Sequence, residues 1–197
     1  MKAILRIIAA AGLIGLPTAA FPQPVPADIQ RQLPTGFGVM TLAASAENSP
    51  HFYFIALKSK TETNPSFPGA APVRPMLIFS RDSAGHYRLL GRNDHVILRR
   101  DEGGANGCDP FEGQRIAVKG SYFTLEQGVG CGEHWTYYLT FRFDPRSKEF
   151  VFDNSRGESW SMNPSDDPNA EALISNGQHV VRGKPPFVPF TQWRPRK

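Results

Sequence analysis

The fold is decided by residues 133–144, EHWTYYLTFRFD. Trp135, Tyr137, Leu139, Phe141 and Phe143 are apolar, and His134, Thr136, Tyr138, Thr140 and Arg142 stand between them. A period of two held over this length reads as one long, half-buried strand, with the apolar set facing a core and the intervening set facing out. Upstream, Ile116 and Val118, a Lys119-Gly120-Ser121 turn, then Phe123 and Leu125 predict a hairpin. Downstream, Glu149 to Phe152 should return along the long strand after the Asp144-Pro145-Arg146-Ser147 turn. The architecture expected around this stretch is an all-β, mainly antiparallel meander, propeller-like or barrel-like, with one or two short helices.

The same reading extends to both ends. Gly38 to Ala43 and His51 to Leu57 predict two strands, the second apolar on both faces and therefore central. Met76 to Ser80 and His86 to Leu90 flank a turn at Asp82-Ser83-Ala84-Gly85, and Val96 to Leu98 gives a further short strand. Asp28 to Leu33 reads as a helical turn ended by Pro34. Asp167 is placed to cap a helix starting at Pro168 and stopping at Asn176-Gly177. Val180-Val181 and Phe187 to Trp193 read as short closing strands, kept at an edge by Pro185, Pro186 and Pro189.

At the N-terminus Lys2 and Arg6 precede an apolar run from Ile7 to Leu16, then Pro17 and the small residues Thr18, Ala19 and Ala20. This is the pattern of a secretory signal peptide cleaved after Ala20, its apolar run being far short of the ~20 residues that a spanning helix needs. The division expected is a signal peptide over 1–20, a Pro-rich leader with a short helical turn over 21–37, one β-rich domain over 38–193, and a basic tail over 194–197. No other stretch is apolar enough to span a membrane as a helix, so the mature chain should not be membrane-embedded, and it belongs in the periplasm or outside the cell. Without Lys2 and Arg6 the chain carries 20 basic against 18 acidic residues, and residues 94–171 hold fourteen acidic and eight basic ones. No segment gathers the Lys/Arg density that phosphate binding requires, which argues against nucleic acid as a partner.

Cys108 and Cys131 are the two cysteines of the chain. An even count in a secreted protein points to a disulfide closing a loop of about 24 residues. The competing reading is a metal site, since Cys131 and His134 have C-x-x-H spacing and Cys108, Asp109, Glu133 and His95 could approach them.

The run PMLIFSRDSAGHYRLLGRNDHVI (75–97), then Gly103-Gly104 and Asp109-Pro110-Phe111-Glu112-Gly113, the segment Tyr122-Phe123-Thr124-Leu125-Glu126, and Thr140-Phe141-Arg142-Phe143-Asp144 resemble secreted bacterial β-rich proteins related to FG-GAP (integrin-like) repeat proteins. The resemblance spans about residues 33–153. It implies a β-rich fold and, by similarity to periplasmic immunity or inhibitor proteins, action against a peptidoglycan-cleaving enzyme. Members often carry a calcium loop between the first two strands. Here that stretch, residues 44–51, holds one carboxylate and no glycine, too few oxygen ligands for such an ion.

Asp101, Asn106 and Asp109 in the Gly-rich acidic loop offer oxygens for calcium, although not with EF-hand spacing, and they equally suit an ordinary turn. Gly-x-Ser-x-Gly, His-Glu-x-x-His and phosphate-loop patterns are absent from the sequence, and the five histidines are scattered. No catalytic residue is assigned. Candidate binding-surface residues are Asp109 and Glu112 on the acidic loop and His134, Tyr138 and Arg142 on the polar face of the long strand, although such residues also suit any solvent-facing strand. The expected function is non-catalytic binding of a protein partner, as an inhibitor or immunity protein against a cell-wall hydrolase. The alternatives are an envelope hydrolase using carboxylate or histidine chemistry, and a structural envelope module.

Overall fold

The computed structural model describes residues 24–46, 51–63, 69–104, 107–113, 115–132 and 134–195. The expected signal peptide lies outside them, as do Asn106, Glu133 and the last two residues of the basic tail. A four-residue helix, α1 (Ala27–Gln30), precedes nine strands: β1 (Phe37–Ala44), β2 (Phe52–Ser59), β3 (Arg74–Arg81), β4 (Tyr87–Ile97), β5 (Ile116–Lys119), β6 (Tyr122–Val129), β7 (His134–Asp144), β8 (Glu149–Met162) and β9 (Leu173–Arg182). The first four form one antiparallel meander and the last five another, each in sequence order. The expected all-β meander is thus present, as two sheets packed face to face and not as a closed barrel or a propeller of radial blades.

Phenylalanine supplies most of the contact between the layers. Phe54 on β2 meets Phe123 on β6 with ring centroids 4.7 Å apart, and Phe52 meets Phe143 and Phe150, each at 5.1 Å. Phe123 stacks on Phe141 at 5.1 Å, and Phe190 and Trp193 close the same cluster from the C-terminus. Offset and edge-to-face geometries of this kind add about 0.5–1.5 kcal/mol per pair beyond the area that they bury. The other face of β2 is also buried, as its unbroken apolar run predicts: Tyr53, Ile55 and Leu57 pack with Leu77, Phe79 and Tyr87 beneath α1. Ile29 of α1 is fully buried there, and the Asp28 carboxylate accepts the Tyr87 N–H at 2.6 Å. The expected leader over 21–37 is therefore, from Val25 onward, a third layer of the domain.

Three expectations give way to packing. The helix after Asp167 is a turn, with Ala170 N–H donating to the Asp167 carbonyl, and Leu173 to Ile174 begin β9 opposite Met162 and Ser161. So short an apolar stripe has nothing to bury against, and helix nucleation is costly, whereas pairing with β8 satisfies the backbone directly. The two strands expected around Gly91-Arg92-Asn93-Asp94 are one, β4, which absorbs the turn-prone residues in bulges. The closing strand expected at Phe187 to Trp193 is a single bridge, Pro189 to Val151, and a 3-10 turn over Phe190–Gln192. Its carbonyls at Phe190 and Trp193 both accept the buried Asn93 side-chain amide.

The connection from β4 to β5 carries the chain from one sheet to the other. Cys108 and Cys131 are joined as a disulfide, with Cα atoms 6.5 Å apart, which fastens this connection to the β6–β7 turn and excludes the metal reading of the pair. At Gly103 a Cβ would overlap the Cys108 carbonyl, so only glycine lets the chain fold back so tightly. Replacing both cysteines by alanine should lower stability by roughly 3 kcal/mol, the loop-closure value for about 24 residues. Chemical denaturation of the variant beside the oxidised protein checks this, and equal midpoints would contradict it.

Candidate functional site

Past the phenylalanine core the inward face of the second sheet continues. On β7 it carries Leu139, then Tyr137 and Trp135; on β8 the residues opposite these three are Ser155, Gly157 and Ser159. On β9, His179 lies opposite Gly157 and Val181 opposite Ser155. Large residues on β7 thus face small ones on β8. The space so left is a cleft of about 840 Å³, walled on one side by His95 to Leu98 at the end of β4 and closed by the C-terminal Trp193 to Pro195. The volume suits a small organic ligand.

Two buried polar groups build the walls. Gln127 on β6 is 1% exposed. Its side-chain amide donates to the Val96 carbonyl at 2.9 Å and accepts the Leu98 N–H at 2.7 Å, so the end of β4 is bolted to the second sheet. Asn93 holds the C-terminal segment in the same way. Tyr137 leans across the strand gap over Gly157: a Cβ on that glycine would stand 3.8 Å from the ring. Burial pushes the Tyr137 hydroxyl above the ordinary tyrosine range, partly offset by a hydrogen bond with Ser155. Glu158, the one carboxylate along the described lining, is engaged by Arg156 and Gln178, and the Arg156 hydrogen bonds hold it below the usual carboxylate range.

The residues picked out from sequence fall in two places. His134, Tyr138 and Arg142 share the outer face of β7, all half-buried. Arg142 sits over the Phe187 ring at 4.4 Å and 3.5 Å from Asp153, which fixes its position. Tyr138 lies between Glu126 and Arg156 on the neighbouring strands. Glu112 is exposed on the acidic loop. Asp109 is not a surface residue: its carboxylate is 4% exposed and accepts two hydrogen bonds from Arg74, each 2.6 Å. Arg74 is itself fully buried, and it is paired at once with Glu62 and, through a backbone contact, with Leu98. Asp101 accepts the Ala71 N–H at 3.1 Å and lies 3.7 Å from Arg99. The carboxylates of Asp101 and Asp109 are thus turned to separate protein partners, and among the described residues no group of three or more His, Cys, Asp or Glu is arranged to hold a metal ion.

Sequence reasoning placed Trp135 and Tyr137 in the core. Both are partly buried and line the cleft: Tyr137 still packs against the core cluster, while Trp135 lies beyond the reach of the facing sheet. A period of two reports which face a residue takes, not how far the opposite layer extends. The usable signal is on β8, whose inward positions change from Phe150 and Phe152 to Ser155, Gly157 and Ser159.

None of the protein-family models, curated proteins or solved structures compared with the chain matches it.

The Arg74 cluster makes stability depend on acid. Burial disfavours the Asp109 anion, but Arg74 outweighs this and holds its pKa below the usual carboxylate value. A group depressed on folding stabilises the fold above its unfolded pKa, about 3.9, and that contribution is lost as pH falls through the folded value. Asp109→Asn should therefore cost about 3–5 kcal/mol near neutral pH and flatten the stability profile below about pH 4. Urea denaturation at several pH values checks both, and a parallel decline in the two proteins would refute the assignment.

Proposed function

We propose that the chain is a secreted or periplasmic protein that acts by binding, without catalysis, through the cleft at the end of its second sheet. The observation that carries this reading is the lining: aromatic, hydroxyl, amide and imidazole side chains presented on rigid strands, with a single carboxylate. Two-carboxylate hydrolysis needs a facing pair, and Glu158 is the one carboxylate along the described lining. Location outside the cytoplasm is supported by the disulfide and by the sequence of residues 1–20. No helix among the described residues is long and apolar enough to cross a membrane.

A cell-wall hydrolase as partner is part of the proposal at a second place, the outer face of β7. Burial of Asp109 and of Phe111, which is 2% exposed, leaves Glu112 as the exposed candidate of the acidic loop, and favours His134, Tyr138 and Arg142 on β7 as the contact residues. Two variants separate the surfaces. Ser159→Trp fills the cleft, and Tyr138→Ala truncates the outer face. With immobilised wild-type chain and both variants as bait for an envelope extract, a species retained by wild type and by Tyr138→Ala, but lost with Ser159→Trp, is the expected outcome. Loss with Tyr138→Ala alone, of an enzyme whose lytic activity the wild-type chain suppresses, would instead move recognition to the outer face. Conversion of the retained species by the wild-type chain would overturn the non-catalytic reading.

A further inference from the structure

We infer that the cleft is a saccharide site in which a linear sugar chain stacks on Trp135 and Tyr137; this rests on the cleft being the binding element.

Gly157 is the starting point. Glycine in the middle of a strand is unfavourable, and it commonly marks a place where something must approach the backbone closely. The fold does not demand glycine here. The Gly157 backbone has no left-handed φ, and an added Cβ would meet only the Tyr137 ring, at the ordinary contact distance of 3.8 Å. The Tyr137 ring lies beside that glycine and lines the cleft. Trp135, two residues earlier on the same face, offers a second ring one strand repeat away, about 6.6–6.8 Å. Two aromatic surfaces spaced along a strand suit a ligand made of successive flat rings.

The rest of the lining selects among such ligands. Arg194 is the only Lys or Arg along the described lining and Glu158 the only Asp or Glu, so neither a polyanion nor a polycation is matched. An acyl chain would strip Ser159, His95 and His179 of water without replacing their hydrogen bonds. A peptide that adds a strand would pair along the edge strand β9, whereas the two rings stand on the face of β7, away from that edge. A pyranose satisfies both demands at once. Its C–H face packs on an aromatic ring, and its equatorial hydroxyls reach hydroxyl, amide and imidazole partners at the rim.

Calorimetry on the chain from Phe21 onward, with a β-1,4-linked N-acetylglucosamine tetrasaccharide and a β-1,4-linked glucose tetrasaccharide as probes, tests the inference. Anilinonaphthalene sulfonate serves as an apolar probe of the same cleft. Binding of at least one tetrasaccharide is expected. Trp135→Ala and Gly157→Val, whose added methyl groups crowd the Tyr137 ring, should each weaken it about tenfold or more, the size expected for a central aromatic contact. Tyr122→Ala, remote from the cleft, should leave it within about twofold, and unchanged circular dichroism certifies each variant as folded. Binding of the apolar probe in a Trp135-dependent way, with no response to either sugar, would overturn the saccharide assignment and keep the cleft as a binding element. No binding of any of the three probes would overturn the saccharide assignment and count against the cleft itself.

Discussion

A buried guanidinium holds the two sheets to one another. Arg74 starts β3 in the first sheet, and its side chain takes Glu62 from the start of the β2–β3 connection and Asp109 from the crossover to the second sheet. Arg100, 3.6 Å from Asp109, leaves two cations for two carboxylates. Charges so buried are tolerable only when each is paired and hydrogen-bonded, and the geometry that satisfies them therefore dictates where the crossover runs. Once Asp109 is placed, Pro110 accepts the Gly128 N–H and Phe111 drops between the layers. The motif Asp109-Pro110-Phe111 thus serves assembly.

The cleft follows from that placement. The crossover and Gln127 set the end of β4 against β6, while β7, β8 and β9 extend beyond the region covered by phenylalanine. The unequal strand lengths leave part of an inward face without a facing layer. An apolar face in that position would be a liability in water. Here it is relieved by Ser155, Gly157 and Ser159, so the surface is aromatic along one strand and small and polar along the next. That division suits recognition, because the aromatic strand supplies contact area while the small residues supply room.

Much of the architecture was legible in the residues. Strict alternation located β7, the Gly120-Ser121 turn located the β5–β6 hairpin, and the double-sided apolar run marked β2 as central. The failures share a cause. The residues after Asp167 carry a helix cap and stop, but local signals are weak beside the demand of the long β8 for a hydrogen-bonded neighbour. The strands expected over 86–90 and 96–98 are one, β4, and Gly91 within it admits Thr191 and Phe190 closely. For the site, residue type was a poor guide to exposure. Asp109 looked like a surface carboxylate and is buried by a partner 35 residues away, while Trp135 looked like core and lines a cleft.

The last turn of the chain has a consequence for how the domain comes into being. Phe190 and Trp193 complete the aromatic cluster, and the same short segment forms one wall of the cleft. Polypeptides are made, and threaded across membranes, from the N-terminus onward, so these two rings arrive after the strands that they cover. Until they do, Phe123, Phe141 and Phe152 stand open at the end of the sandwich. A chain ending at Pro189 would therefore present an uncovered aromatic surface to proteases and chaperones. Completion of the core and completion of the cleft coincide, which couples protection of the core to formation of the cleft.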